Sequence, residues 1–574
     1  MRLITSYLRP YFGRMAFGFA IKFIGSIMDL FIPMLLSVII DDIVPTGSVR
    51  NIYLAGLLML ICSLIAIAGN IIANRMAARV ARNSTEKLRN DLFSKISYLS
   101  ARQLDEFTIP SLESRLTSDT YNIHQFVGMV QRIGVRAPLL LLGGIIVAFI
   151  MEPVLTLVLV AVLPLIIVTV FIITKKGIPL YNRQQVATDG MTRIVREDAQ
   201  GIRVIKSLGR EESEKDRFGE ANGVLNSAER SAAFNMAKSS PILNLLLNLG
   251  LVAVIVVGAI RVNSGVSKVG EIIAFTSYFT IILNAAMSVT RIFIMSSRGI
   301  ASANRIREVL ETPEDMGCTA SDTETDPASP MIEFRNVSFS YNGIKPDIDD
   351  VSFAVRKGGT LGIIGPTGSG KTTLIALLMR QYDADSGEVL VDGRNVRSVS
   401  KDELSRKFGA AFQNDFLFAD TIRTNIDFGR GLSDEQLIEA AGYAQAGEVI
   451  DSKAGGLDYN LTIKGANLSG GQKQRIILSR AFAAKPEIIV LDDSSSALDY
   501  ATDAKLRTAL RENFEGRSTC VIVSQRVSSI MNSDLILVMD DGRIVGQGTH
   551  EQLLDNCGLY REISESQIGG AMLE

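Results

Sequence analysis

"LGIIGPTGSGKTT", Leu361 to Thr373, places a short apolar stretch before a glycine-rich turn and a Lys-Thr-Thr sequence. Gly365, Gly370, Lys371 and Thr372 complete the pattern GxxxxGK followed by Ser or Thr, with Pro366, Thr367, Gly368 and Ser369 inside the loop and Thr373 after it. The pattern carries a mechanism when a strand precedes it and a helix follows, which is what this stretch predicts. Glycines let backbone N–H groups turn inward around phosphate oxygens, the helix N-terminus adds its dipole, and Lys371 contributes a full positive charge. Thr372 is the expected magnesium ligand. The loop therefore predicts an α/β domain that holds ATP with Mg2+.

Further along, "EIIVLDDSSSALD", Glu487 to Asp499, reads as a second buried strand ending in two carboxylates. P-loop domains place an acid near the magnesium at such a strand end, which assigns Asp492. In "NLSGGQKQR", Ser469, Gly470 and Gly471 open a helix, with Gln472 next, so a hydroxyl and unpaired N–H groups form a second anion site. One domain cannot easily turn both sites onto one phosphate. The economical arrangement is a head-to-tail pair of domains, with ATP between one P-loop and the other's LSGGQ.

Toward the N-terminus the sequence changes character. Its 574 residues exceed what one core holds. Lys plus Arg (59) and Asp plus Glu (61) nearly cancel, giving no argument for nucleic acid as a partner. Cys62, Cys318, Cys520 and Cys557 show no CxxC spacing and read as reduced packing thiols. The basic start resembles a secretory signal, but the apolar run after it is too long and contains Lys22 and Asp29, so it is expected to remain as a membrane helix. Six stretches are long and apolar enough to cross a bilayer, at 15–43, 52–74, 134–151, 153–174, 241–262 and 269–296, the last the most polar. The joints after the first, third and fifth are short: "DDIVPTGSVRN", Glu152-Pro153 and "VNSGVSKVG". Those after the second and fourth are long, basic and helical in period. Lys and Arg favour the cytoplasmic side, which is therefore expected to hold both termini and both long loops.

Lys22 and Asp29 lie seven apart and share one helix face. Either they line a polar cavity, or Lys22 reaches back to the interface while Asp29 satisfies a neighbouring helix. Arg132, Arg136 and Arg291, near span ends, fit interfacial anchors. "ETPEDMGCTASDTETDPASP", Glu311 to Pro330, has no Lys or Arg and the composition of a linker. The expected division is a membrane domain over 1–300, an acidic linker over 301–330, a nucleotide-binding domain over 331–564 and a flexible tail over 565–574.

Six spans followed by one such domain resemble a half-transporter of the ATP-binding cassette exporters, over nearly the whole chain. The resemblance implies an all-α six-helix membrane domain and an α/β cassette. It makes Tyr341 in "VSFSYNG" the adenine-stacking aromatic, Gln413 in "AAFQND" the magnesium and coupling glutamine, and Ser496 to Asp499 the D-loop. "IPSLESRLTSD" and "VREDAQGIRVIKSLGREE" are similar to the loops that transmit cassette motion. Two positions depart from the family, which has Glu after the strand-end Asp and His in a later switch segment. Here they are Asp493 and, in "VIVSQRVSS", Gln525; neither of the 2 histidines, His124 and His550, follows that strand. Ile463 stands where exporters carry an acid. This points to the weaker subunit of a heterodimer, with a second, non-identical half-transporter and the lipid bilayer as partners. The implied activity is ATP-driven export of small amphipathic or lipophilic molecules, drugs or lipids, across a bacterial plasma membrane. Three other readings stand beside it: import of a siderophore-like cargo on the same architecture, a regulatory subunit that binds ATP without turnover, and a homodimer with Asp493 and Gln525 in both sites that hydrolyses ATP very slowly.

Overall fold

The computed structural model describes residues 1–318, 328–413, 416–494 and 496–571, with backbone alone for Thr290, Phe293, Ile294 and 568–571. The chain divides into two compact units, 1–97 with 110–312, and 98–109 with 313 onward.

The first unit is helical. It contains α1 (Arg2–Leu8), α2 (Phe12–Val38) and α3 (Val49–Ser97). After α4 (Ala101–Phe107), which belongs to the second unit, come α5 (Ile109–Ser114), α6 (Thr120–Ile133), α7 (Arg136–Met151), α8 (Pro153–Ser207), α9 (Glu211–Ala237), α10 (Ser239–Asn263) and α11 (Val269–Leu310). Six of its helical segments are long and apolar enough to cross a membrane. The 49-residue α3 and the 55-residue α8 run on through the basic loops, as their helical period predicts.

Local chemistry sets the joints between spans. Glu152 is extended (φ −150°), and Pro153 opens α8 where its missing N–H costs nothing. The Glu152 side chain is 4% exposed. It accepts from Arg261 Nε at 3.0 Å and from Ser267 Oγ, which ties this joint to the one after α10. Asp41 takes the Gly270 N–H at 2.6 Å in the same manner. Between α2 and α3, a Cβ at Gly69 would meet the Ile21 carbonyl at 3.3 Å, so glycine permits the close approach. The sixth stretch needs less hydrophobicity because protein surrounds it: 44% of its apolar window is buried, against 17% for α3. Phe275, Tyr278, Phe279 and Ile282 are fully buried there against Leu155, Leu159 and Val254.

The second unit contains the cassette. β1 (Ile332–Phe339), β2 (Ile348–Val355), β4 (Ser386–Val391) and β5 (Arg394–Asn395) form one sheet in the order β2-β1-β4-β5. β3 (Thr360–Ile364), β6 (Phe408–Ala411), β7 (Ile488–Asp492), β8 (Thr519–Val523), β9 (Leu535–Asp540) and β10 (Arg543–Gly548) form the other, in the order β10-β9-β3-β8-β7-β6. β7 shows why its sequence reads as an unbroken apolar run. Ile488 and Val490 enter one core with Leu374 and Val521, whereas Ile489 and Leu491 enter another with Ile476, Ile477 and Phe482. The helices are α12 (Lys371–Leu378), α13 (Lys401–Lys407), α14 (Ile422–Asp427), α15 (Asp434–Tyr443), α16 (Gly447–Asp451), α17 (Gly470–Phe482), α18 (Tyr500–Phe514), α19 (Val527–Ile530), α20 (His550–Asn556) and α21 (Gly558–Ala571).

Several expected boundaries move. Helix α11 continues to Leu310, past the limit at 300, because Ile306 and Val309 are still buried. The expected linker is helical at its start and includes 319–327, outside the described residues. The stretch from 565 is not loose chain as far as 571, since α21 continues through it and Gln567 Oε1 accepts the Val527 N–H at 2.9 Å. Cys318 is exposed and is not a packing thiol, whereas Cys62, Cys520 and Cys557 are buried.

Candidate functional site

β3, β8, β7 and β6 are parallel neighbours, so their carboxyl ends emerge along one edge. Open α/β sheets collect ligands at that edge. β3 leads into the loop 365–370, β8 into Ser524 and Gln525, β7 into Asp493, and β6 into Gln413. Register supports the alignment, since Ile363 and Asp492 both pair with Val523. Together they surround a cavity of about 310 Å³. Thr367, Gly368, Gly370, Lys371, Thr372, Thr373, Gln413, Asp492, Asp493 and Gln525 line it. Gly365, Pro366 and Ser369 belong to the loop but not to the lining; Lys371 Nζ donates to the Gly365 and Pro366 carbonyls at 2.9 and 2.7 Å.

Backbone geometry explains the glycines. Gly368 and Gly370 have φ of 83° and 95°, which turns successive N–H groups inward. A Cβ at Gly370 would also meet the Asp347 carbonyl at 2.8 Å. Burial lowers the Lys371 ammonium's pKa, and Asp492 and Asp493 oppose the shift. Burial raises that of Asp492, which is 2% exposed, with Asp493 adding to the shift.

Thr372 Oγ1 donates to Asp492 Oδ2 at 3.1 Å, so a hydroxyl and a carboxylate from two elements converge on one point. Hard oxygen donors of this kind suit magnesium bound together with a nucleotide. Among the described residues no cluster of three or more His, Cys, Asp or Glu offers a different metal a site. Magnesium held by Thr372 and Asp492, with Gln413 at the same edge, would neutralise charge on the phosphate oxygens.

Asp493 has φ of 48°, an uncommon conformation that Asp tolerates. Its N–H is anchored to the Val523 carbonyl at 2.9 Å, and the Ser496 hydroxyl donates to its carbonyl at 2.9 Å. Its carboxylate lies between two amides: Gln413 Nε2 and Gln525 Nε2 each approach Oδ2 at 3.4 Å, the long limit of a hydrogen bond.

Tyr341 stands beside the cavity, not in its wall. It is 45% exposed, its hydroxyl is 3.4 Å from Thr373 Oγ1, and Phe339 and Tyr382 brace its ring edge-on at 4.9 and 5.1 Å. Tyr382 in turn donates to Asp105 Oδ2 of α4 at 2.6 Å. Burial and Asp105 together raise the pKa of this phenol.

Ser469 caps α17. Its Oγ accepts the Gln472 N–H at 3.3 Å while Gln472 Oε1 accepts the Ser469 N–H at 3.1 Å, a reciprocal capping box. Ser469, Gly470, Gly471 and Gln472 do not line the P-loop cavity. A Cβ at Gly471 would touch the Ala497 carbonyl at 3.3 Å, but one at Gly470 would meet nothing within 4 Å. Asp347 and Ser524 line the cavity without having been expected. Asp347 has no motif around it, although Ser524 could have been found as the residue between β8 and Gln525.

A helical membrane unit joined to a P-loop cassette with a capped glycine helix defines an ATP-driven transporter subunit. Residues 15–287 match the ABC transporter transmembrane region, and residues 348–496 match the ABC transporter family. An uncharacterized ABC transporter ATP-binding protein of Mycobacterium tuberculosis is 35% identical over 573 residues, covering 99% of this chain and 98% of its own length. The uncharacterized ABC transporter ATP-binding protein YfiB of Bacillus subtilis is 34% identical, with 99% of each chain covered. A solved structure, a bacterial Atm1-family ABC exporter with ATP bound, superposes with a TM-score of 0.82 at 24% identity over 98% of this chain and 99% of that one. The chain belongs to the ABC transporter family and has the exporter-type fold. It is a multi-pass membrane protein whose cassette couples ATP hydrolysis to transport.

Proposed function

We propose that this chain is one half of a heterodimeric exporter for amphipathic or lipophilic molecules, resident in a bacterial plasma membrane with its termini and cassette in the cytoplasm. Its own P-loop site grips ATP and splits it slowly, while Ser469 to Gln472 complete the faster site of a non-identical partner. The carrying observation is the pair Asp493 and Gln525 in the lining of an otherwise complete phosphate site. The Asp493 side chain is one methylene shorter than Glu, which withdraws the carboxylate by about 1.5 Å. A displacement of about 1 Å costs on the order of a hundredfold in rate. Gln525 can hydrogen-bond to phosphate but cannot carry imidazole's charge or proton.

Gly470 supports the two-chain site. It lies on an exposed helix start where a Cβ would meet none of the described residues within 4 Å, and close approach by phosphates held on another cassette would call for glycine there. The bacterial relatives support the location, and the similarity to a bacterial exporter supports the direction of transport.

The test is co-purification with the partner, followed by substitution of one base at a time. Asp493→Asn is expected to leave most turnover of the pair intact, and neutralising the partner's base to abolish it. Fast hydrolysis by this chain alone, lost in Asp493→Asn, would overturn the proposal. Inward accumulation of cargo in oriented vesicles would reverse the direction, and tight ATP binding without turnover or cargo movement in the complete pair would favour the regulatory reading.

A further inference from the structure

The membrane unit holds a cavity of about 610 Å³ between α2, α3, α6, α7 and α11. Lys22, Arg132 and Arg136 face it from three helices, and Leu140 and Ile281 contribute apolar wall. Lys22 is 2% exposed, and its ammonium donates to Asn74 Oδ1 at 3.0 Å. Arg136 pairs with Asp29 at 2.9 Å through one terminal nitrogen, while its Nε is buried without a hydrogen-bond partner. Arg132 turns Nε onto the Gly128 carbonyl of its own helix at 3.0 Å. The charged groups acting on Lys22 are Arg136, Asp29 and Arg132. Asp29 therefore satisfies a neighbouring helix, one of the two expectations for it, and Lys22, Arg132 and Arg136 collect around a cavity.

Three cations thus line one cavity inside an apolar unit, and among the described residues Asp29 is the carboxylate that pairs with one of them, Arg136. Buried charge without a matching partner is costly, and ionisable groups within membrane helices mark ligand pathways. The depth is informative as well. Asn74 ends the second apolar stretch, and Arg132 and Arg136 flank the start of the third. The cavity therefore reaches from the apolar interior to the level where hydrocarbon gives way to polar head groups. Two guanidinium forks and an ammonium match phosphate or carboxylate oxygens.

We propose that this cavity holds the anionic head group, phosphate or carboxylate, of an amphiphilic cargo whose apolar chain lies against Leu140 and Ile281. The inference rests on the transporter reading and narrows its cargo. Its test uses the full-length protein, with its partner where one co-purifies, in zwitterionic nanodiscs titrated with dodecyl phosphate, dodecanoate, dodecyltrimethylammonium or inorganic phosphate. The two anionic amphiphiles are expected to bind at least about tenfold more tightly than the cation, and Arg132→Gln to weaken dodecyl phosphate about tenfold. Arg132→Lys should restore part of that loss. Lys22→Gln is the second variant, with melting temperature checking that each protein folds.

Competition by phosphatidic acid placed in the disc supports a membrane lipid as the source of the head group. Dodecanoate binding without that competition supports a monomeric acid. Equal affinity for anion and cation, inorganic phosphate binding as tightly as dodecyl phosphate, or folded variants that change nothing would overturn the inference. ATP-driven movement of a cationic or neutral amphiphile, indifferent to Arg132→Gln, overturns it and leaves the transporter reading standing. Anion binding that Arg132→Gln removes, without ATP-driven movement of any amphiphile, does the reverse.

Discussion

On the proposed reading, Asp493 is the residue on which the rate of this chain's own site turns. Asp493→Glu with Gln525→His restores both reach and a titratable ring, and is expected to raise ATP turnover at this site by about a hundredfold, read as phosphate release from a pair whose partner base is neutralised. Gln413 and Gln525, whose Nε2 atoms lie 3.4 Å from the present carboxylate, are the side chains that must shift to admit the longer one. The ion pair of Asp119 and Arg305 offers a second comparison, because its members are unequally buried, 2% and 51% exposed. Arg305→Ala strands a buried carboxylate and should destabilise the membrane unit by about 3 kcal/mol. Asp119→Asn frees an arginine that water can already solvate and should cost about 1 kcal/mol. Thermal unfolding of the two variants measures the difference. The P-loop, Asp492 and the substitution at 493 were legible as residues in line, since each lies within a few positions of its motif. Asp347 was not, because it comes to the cavity through the turn before β2.

At the scale of elements, α4 carries a prediction. Asp105 accepts from Tyr382, Tyr382 stacks edge-on against Tyr341, and Tyr341 reaches Thr373 at the start of α12. This chain of contacts joins a short loop helix to the nucleotide site. Asp105→Asn weakens its first link by removing the charge from the acceptor, and is expected to lower the ratio of cargo-stimulated to unstimulated ATP hydrolysis several-fold. Measuring both rates on the reconstituted pair checks it; an unchanged ratio assigns the contact to packing alone. Helix α4 also shows where reading by pattern stops. Its capping box at Ser100 and Gln103 is local and readable, but its grouping with the second unit depends on bonds from Ser100 to Asp315 and from Gln103 to Pro313, more than two hundred residues away.

For the whole molecule, two compact units, each with its own buried residues, predict two unfolding transitions. ATP with magnesium at a hundredfold excess over its dissociation constant should stabilise the cassette transition by about 2.7 kcal/mol and leave the membrane unit's unchanged. Lys371→Ala should abolish that shift, as followed by calorimetry with and without nucleotide. The sequence by itself determined the six apolar stretches, the cassette and its phosphate loop, because hydrophobic period and backbone-shaping glycines act over neighbouring residues. Only the tertiary structure decided that Lys22, Arg132 and Arg136 share a cavity, that the most polar stretch is the most enclosed, and that Asp493 lies between two amides. Each of these follows from which helices and strand ends become neighbours, and long-range packing sets that in three dimensions.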